Sequence, residues 1–219
     1  MKHMLLIAGG LLLSLQAPAY PFDLSVGARL GLNLATVSGD VEDEFLDSSR
    51  GGGAALQADL AFNPWLSLQP GLAYTAKGCR WVHERENDDG DLIEVEDISR
   101  ADYLELPINL AVGVPRPWRV KPYVYAGPAL ALFLGAHKTV SVDGNRTSAG
   151  SRNDSARNLD LGLDWGGGAA LGLGPGVLLF DARYTLGLLS VDANNDDDVR
   201  NRVLTFSLGY RLPIAGGGK

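Results

Sequence analysis

Asp23-Leu24-Ser25-Val26-Gly27-Ala28-Arg29-Leu30-Gly31-Leu32-Asn33-Leu34 decides the fold of this chain. Leu24, Val26, Ala28, Leu30, Leu32 and Leu34 fall on one face, and Asp23, Ser25, Gly27, Arg29, Gly31 and Asn33 on the other. Period-two alternation marks a strand whose two faces meet different surroundings. The run also outlasts an ordinary soluble strand, which is about 5–6 residues long. A long strand with apolar residues on one side and polar or small ones on the other suits a barrel wall crossing a bilayer.

The pattern recurs along the chain. Ala54, Leu56, Ala58, Leu60 and Phe62 oppose Gln57, Asp59 and Ala61, and Leu66, Leu68, Leu72 and Tyr74 oppose Ser67, Gln69, Gly71, Thr75 and Lys77. Leu104, Leu106, Ile108, Leu110 and Val112 oppose Glu105, Asn109 and Gly113. Val124, Leu130, Leu132 and Leu134 oppose Tyr123, Tyr125, Gly127 and Gly135. The last three runs are Leu159–Leu173, Val177–Leu189 and Val203–Leu212, with Asp160, Asp164, Asp181, Arg183 and Arg211 on their polar faces. Eight runs predict an all-β fold: an up-and-down antiparallel transmembrane barrel of eight strands, the smallest usual size.

The links sort by parity. Asn63-Pro64, Pro115-Arg116-Pro117 and Gly174-Pro175-Gly176 are tight turn compositions after the second, fourth and sixth runs. The other links are long and polar, roughly Ser38–Arg50, Gly78–Asp102, His137–Arg157 and Asp192–Asn201. Short turns at one end and long loops at the other are the asymmetry of outer-membrane barrels. Within the second long link, Arg80-Trp81-Val82-His83 and Leu92-Ile93-Glu94-Val95 flank Asp88-Asp89-Gly90-Asp91, a hairpin signal. Two wall strands are therefore expected to continue as a protruding ribbon over 78–102, offering an edge to a protein partner.

The start of the chain reads as a signal peptide over 1–19. Met1-Lys2-His3-Met4 precedes an apolar stretch from Leu5 to Leu15, then Ala17-Pro18-Ala19 before Tyr20. The barrel is expected over 20–212 and a short tail over 213–219. Beyond the signal no segment reaches the ~20 apolar residues of a spanning helix. A single cysteine, Cys79, excludes an internal disulfide framework, and the net charge of −7 argues against a nucleic-acid partner.

Gly27-Ala28-Arg29-Leu30-Gly31-Leu32-Asn33, Leu68-Gln69-Pro70-Gly71-Leu72, Tyr103-Leu104-Glu105-Leu106-Pro107, Pro122-Tyr123-Val124-Tyr125-Ala126-Gly127-Pro128 and Leu208-Gly209-Tyr210-Arg211-Leu212 together cover most of the mature chain. With these pieces it resembles the PorT-like outer-membrane β-barrel family, itself similar to small barrels of the OmpA and OmpX type. The resemblance implies an outer-membrane location after Sec-type export, with the lipid bilayer and the barrel-assembly machinery as partners. Assembly substrates of this kind end on an aromatic residue. Here Leu212 is followed by a tail, which shifts that role to Phe206 and Tyr210.

Candidate site residues fall in two groups. Arg29, Asp59, Lys77, Glu105, Asp160, Asp164, Asp181, Arg183 and Arg211 face the lumen, which eight strands leave just wide enough for side chains. Charges there must be paired, because an isolated one carries a large desolvation cost. A structural network that fills the lumen is the expectation, with a small-solute pore as its rival. Trp65 and Trp118 beside short turns, and Phe206 and Tyr210 in the last run, are expected at the membrane interface.

No catalytic, cofactor or metal-binding set is expected. About eighteen of the 26 acids fall in the first, second and fourth long links, in runs such as Glu42-Asp43-Glu44, Asp88-Asp89-Gly90-Asp91 and Asp196-Asp197-Asp198. None has the EF-hand spacing, so bridging Ca2+ or Mg2+ at the surface is the one cofactor idea the composition offers. The mature histidines are His83 and His137, and Ser141 and Asp143 near His137 are the only triad-like grouping. A lipid-modifying enzyme is thus the least favoured alternative. Gly51-Gly52-Gly53 and Gly166-Gly167-Gly168 fit no phosphate loop and are expected to let strands bend and opposing side chains fit. The favoured reading is a non-enzymatic outer-membrane barrel with a plugged lumen, serving envelope structure or surface interaction.

Overall fold

The computed structural model describes residues 23–39, 46–86, 92–115, 119–142, 145–151, 158–190 and 199–215. The described residues form nine strands: β1 (Asp23–Gly39), β2 (Leu46–Asn63), β3 (Leu66–Glu86), β4 (Leu92–Gly113), β5 (Val120–Val142), β6 (Asn145–Ser151), β7 (Leu159–Leu173), β8 (Gly176–Gly187) and β9 (Val199–Ala215). Eight of them close a ring, β1-β2-β3-β4-β5-β7-β8-β9 and back to β1, with every pairing antiparallel. β6 stands outside the ring and pairs with the far end of β5. None of the described residues forms a helix long and apolar enough to cross a membrane, so crossing is left to the strands. A closed ring pairs every backbone group with a neighbouring strand, which the hydrocarbon core demands.

The shear of the ring follows from its register. Starting at Leu60 on β2, directly paired residues run through Leu68, Leu110, Ala126, Trp165, Tyr184, Leu204 and Leu34. The path returns to β2 at Arg50, ten residues from where it began. Ten residues of stagger over eight strands correspond to a strand tilt of about 40° and a narrow interior.

The sides of the wall are inverted relative to a soluble protein. Leu30 and Leu32 are 71% and 72% exposed, while Glu105 and Asp164 are 1% and 0% exposed. Only a lipid surround stabilises so large an outward apolar band.

Turns close one end of the ring. At β2–β3 the Asn63 side-chain oxygen accepts from the backbone N–H groups of Trp65 (3.0 Å) and Leu66 (2.9 Å), an Asx turn that reverses the chain in two residues. At β7–β8 Gly174 takes φ +59°, which a residue with a Cβ rarely adopts.

The other end differs from the sequence expectation. Much of what was expected as loop is strand: β1 continues to Gly39, β2 begins at Leu46, and β3 and β4 pair out to Glu86–Leu92. The ribbon over 78–102 is thus present, with its turn outside the described residues. It is not isolated, because Trp81 still pairs with Leu46 and Val95 with Val142. The last strand also runs through Pro213 and Ile214 to Ala215, so part of the expected tail belongs to the wall.

Candidate functional site

Inward-facing charged and polar side chains meet in the lumen in two storeys. The storey nearer the turns is built on Asp59 and Asp181. Arg29 on β1 reaches Asp181 on β8 at 2.9 Å, and Tyr123 and Tyr125 on β5 donate their hydroxyls to the same carboxylate at 3.1 and 3.0 Å. Tyr125 fits because Gly166 stands across from it: a Cβ there would lie 2.9 Å from the ring. Arg211 on β9 pairs with Asp59 on β2. Gln69 and Ser67 also donate to Asp59, at 2.7 and 3.2 Å. Each carboxylate here holds one cation and two neutral donors.

The second storey is more deeply buried. Lys77 on β3 lies 2.9 Å from Glu105 on β4 and 3.3 Å from Asp160 on β7, with its ammonium 4.7 Å from the centre of the Tyr103 ring. Arg183 on β8 lies 3.5 Å from Asp164 and 3.9 Å from Glu105. Neutral donors complete the set: Thr75 to Glu105 (3.0 Å), Thr185 to Asp164 (2.6 Å) and Asn201 to Asp160 (3.0 Å). Beside it Asn33 accepts from Thr205 at 2.9 Å and donates to the Gly52 and Ala76 carbonyls.

All nine charges expected in the lumen therefore meet there in ion pairs. The neutral donors that complete them, above all Thr75, Tyr125, Thr185 and Asn201, were not singled out from sequence. Their inward parity is readable, but their partners depend on the stagger of the ring.

Space inside is uneven. A cavity of about 40 Å³ lies between the storeys, lined in part by Arg29, Asn33, Asn109 and Arg183. That is room for a few waters. Towards the turn end a vestibule of about 720 Å³ opens, bordered by Asp23, Asp59, Trp65, Lys121, Tyr123 and Arg211.

The aromatic expectations divide. Trp65 is exposed beside the β2–β3 turn, and Tyr210 donates its hydroxyl to the Leu173 carbonyl at the β7–β8 turn, at 2.8 Å. Phe206 is a correction. Its register partners are Leu32 and Ala182, which set it mid-way along β9 within the apolar band. Trp118 lies outside the described residues, as do the three acidic runs.

Catalytic geometry is not assembled at His137. Ser141 lies four residues along the same strand, about 13 Å away at the ordinary rise. His137 instead meets Asp102 at 3.6 Å on the outer side of the wall. Asp143 lies outside the described residues. Cys79 is buried in β3 with a free thiol, and no cluster of three or more metal-ligating side chains forms among the described residues.

Solved structures with related folds include Ail of Yersinia pestis in complex with the heparin analogue sucrose octasulfate (18% identity, 87% of this chain and 99% of that one, TM-score 0.41). Neisserial surface protein A is another (17%, 86% and 97%, TM-score 0.44). A major outer membrane protein of Thermus thermophilus is a third (14%, 85% and 99%, TM-score 0.42). The search of curated proteins finds no match to the chain. The sequence model of one family, described as outer membrane protein beta-barrel domain, matches residues 16–193. Most of the chain lies within that match, and the closed ring with its apolar exterior is the structure such a domain requires: the chain belongs to the outer-membrane β-barrel domain family and resides in the outer membrane.

Proposed function

We propose that this chain is a non-enzymatic barrel of PorT-like type whose lumen is sealed by its own side chains and whose work is done at the outer surface, in envelope structure or partner binding. One observation carries the sealed reading: two storeys of ion pairs cross the interior, and the cavity between them measures about 40 Å³. Short turns support an orientation with the vestibule end in the periplasm and the strand extensions outside. Residues 1–19 serve Sec-type export, and the assembly machinery takes the barrel into the membrane. The β3–β4 ribbon is the proposed site for a protein partner, and the acidic runs the proposed site for bridging Ca2+ or Mg2+. The test is single-channel recording in planar bilayers. The sealed reading expects no discrete openings at moderate voltage. Reproducible openings would overturn it and favour a small-solute pore entered through the vestibule.

A further inference from the structure

Charge on the outer side of the wall follows a different rule from charge inside. Above the apolar band, Arg50 on β2, Arg100 on β4 and Arg202 on β9 are all exposed. Arg50 and Arg202 share the outward face with Leu34 and Thr36 on β1, their register partners, and lie roughly 12 Å apart across that strand. Arg100 reaches across β3 to donate Nη2 to the Arg50 backbone carbonyl at 2.8 Å, which draws two arginines together without an acid between them. Arg202 is held along the wall by the Ser38 hydroxyl and by the Tyr184 hydroxyl at 3.5 Å.

Acids on this face are engaged elsewhere. Asp102 accepts from Tyr74 at 2.8 Å and meets His137 at 3.6 Å, while Glu96 pairs with Arg80 at 2.6 Å. The three arginines have no ion-pair partner among the described residues, in a chain whose net charge is −7. Their height is that of lipid headgroups, because the exposed Leu30, Leu32 and Leu34 run directly up to them. A planar guanidinium with free donors at that level matches a phosphate oxygen pair.

We propose that Arg50, Arg100 and Arg202 form a cradle for the phosphate groups of an anionic lipid in the outer leaflet, binding one such lipid against β9-β1-β2. This rests on the orientation given under the proposed function, which places these residues in the outer leaflet.

The test uses the full chain in detergent, titrated with lipid A, with its dephosphorylated form and with inorganic phosphate, bound lipid being counted by native mass spectrometry. Lipid A is expected to bind about tenfold tighter than the dephosphorylated lipid and to weaken with salt. The triple variant Arg50→Gln/Arg100→Gln/Arg202→Gln is expected to lose that preference, and Arg→Lys at the same positions to keep part of it. Heat-modifiable mobility checks that each variant folds; if the triple variant does not, Arg202→Gln alone is expected to weaken binding a few-fold. Equal binding by wild type and variant overturns the proposal. So does equal binding of the dephosphorylated lipid, or phosphate as tight as lipid A, or a triple variant that loses self-association and keeps its lipid binding. An epitope placed in residues 87–91 and probed on whole cells tests orientation separately, so failure of that reading is told apart from failure of lipid binding.

Discussion

The two storeys of the lumen are built from the same kinds of residue and stand in different electrostatic conditions. In the storey by the turns, two carboxylates meet two arginines, and Arg211 and Asp59 border the wide vestibule. Farther in, three carboxylates, Glu105, Asp160 and Asp164, share two cations, Lys77 and Arg183. Lys77 and Glu105 are almost wholly excluded from solvent, whereas the Arg211 side chain keeps 22% of its surface exposed. Water screens Arg211 and Asp59 and replaces a lost partner there, and it is largely excluded around Lys77 and Glu105. One type of contact therefore carries very different weight at two heights in one lumen.

Removing Lys77 is the strongest way to break this comparison. Lys77→Met leaves Glu105 and Asp160 buried with Arg183 as the sole cation of the storey, and is expected to cost about 3–5 kcal/mol of stability. Urea unfolding in lipid vesicles, followed by tryptophan fluorescence, measures it; a loss below about 1 kcal/mol would mean that water enters this storey.

A second substitution sharpens the point. Lys77→Met with Glu105→Leu removes one charge of each sign and is expected to recover about half of that loss, since a buried pair replaced by apolar groups is often near neutral. A double variant no more stable than Lys77→Met would show that Glu105 matters chiefly as the partner of Arg183 and Thr75.

The smallest effect is expected at the vestibule. Arg211→Gln leaves Asp59 with Gln69, Ser67 and solvent, and its cost is expected to be about 1 kcal/mol or less, shrinking further with added salt. A loss as large as that of Lys77→Met would erase the distinction between the storeys.

Much of this architecture is legible in the alternation alone. β7 coincides with the run Leu159–Leu173, and each of the nine lumen charges faces inward by parity. Alternation reports burial only where one face meets lipid. Towards the far end the outer face is no longer apolar, so the polar upper parts of β3, β4 and β5 carry no period to read. β6 escapes for the same reason. Partners are harder still: Lys77 meets Asp160 through a stagger accumulated over strands between them, which no local pattern encodes. Phe206 illustrates the cost of reading position from sequence order. It lies near the end of the chain and yet stands at mid-wall, because β9 runs from Val199 to Ala215 and sets residue 206 near its middle.

The seam between β1 and β9 runs from Leu24 to Gly39, and Thr205 reaches Asn33 across 172 positions of chain. Until β9 is in place, β1 presents a long bare edge that invites pairing with any other strand. Closure is therefore a late, long-range event, reached only after the intervening strands have ordered. A ribosome stopping a few dozen residues early would release a chain with most of its lipid-facing leucines made and no way to hide its first strand. The safeguard such a protein requires is custody of the whole polypeptide, in transit, until the last strand arrives.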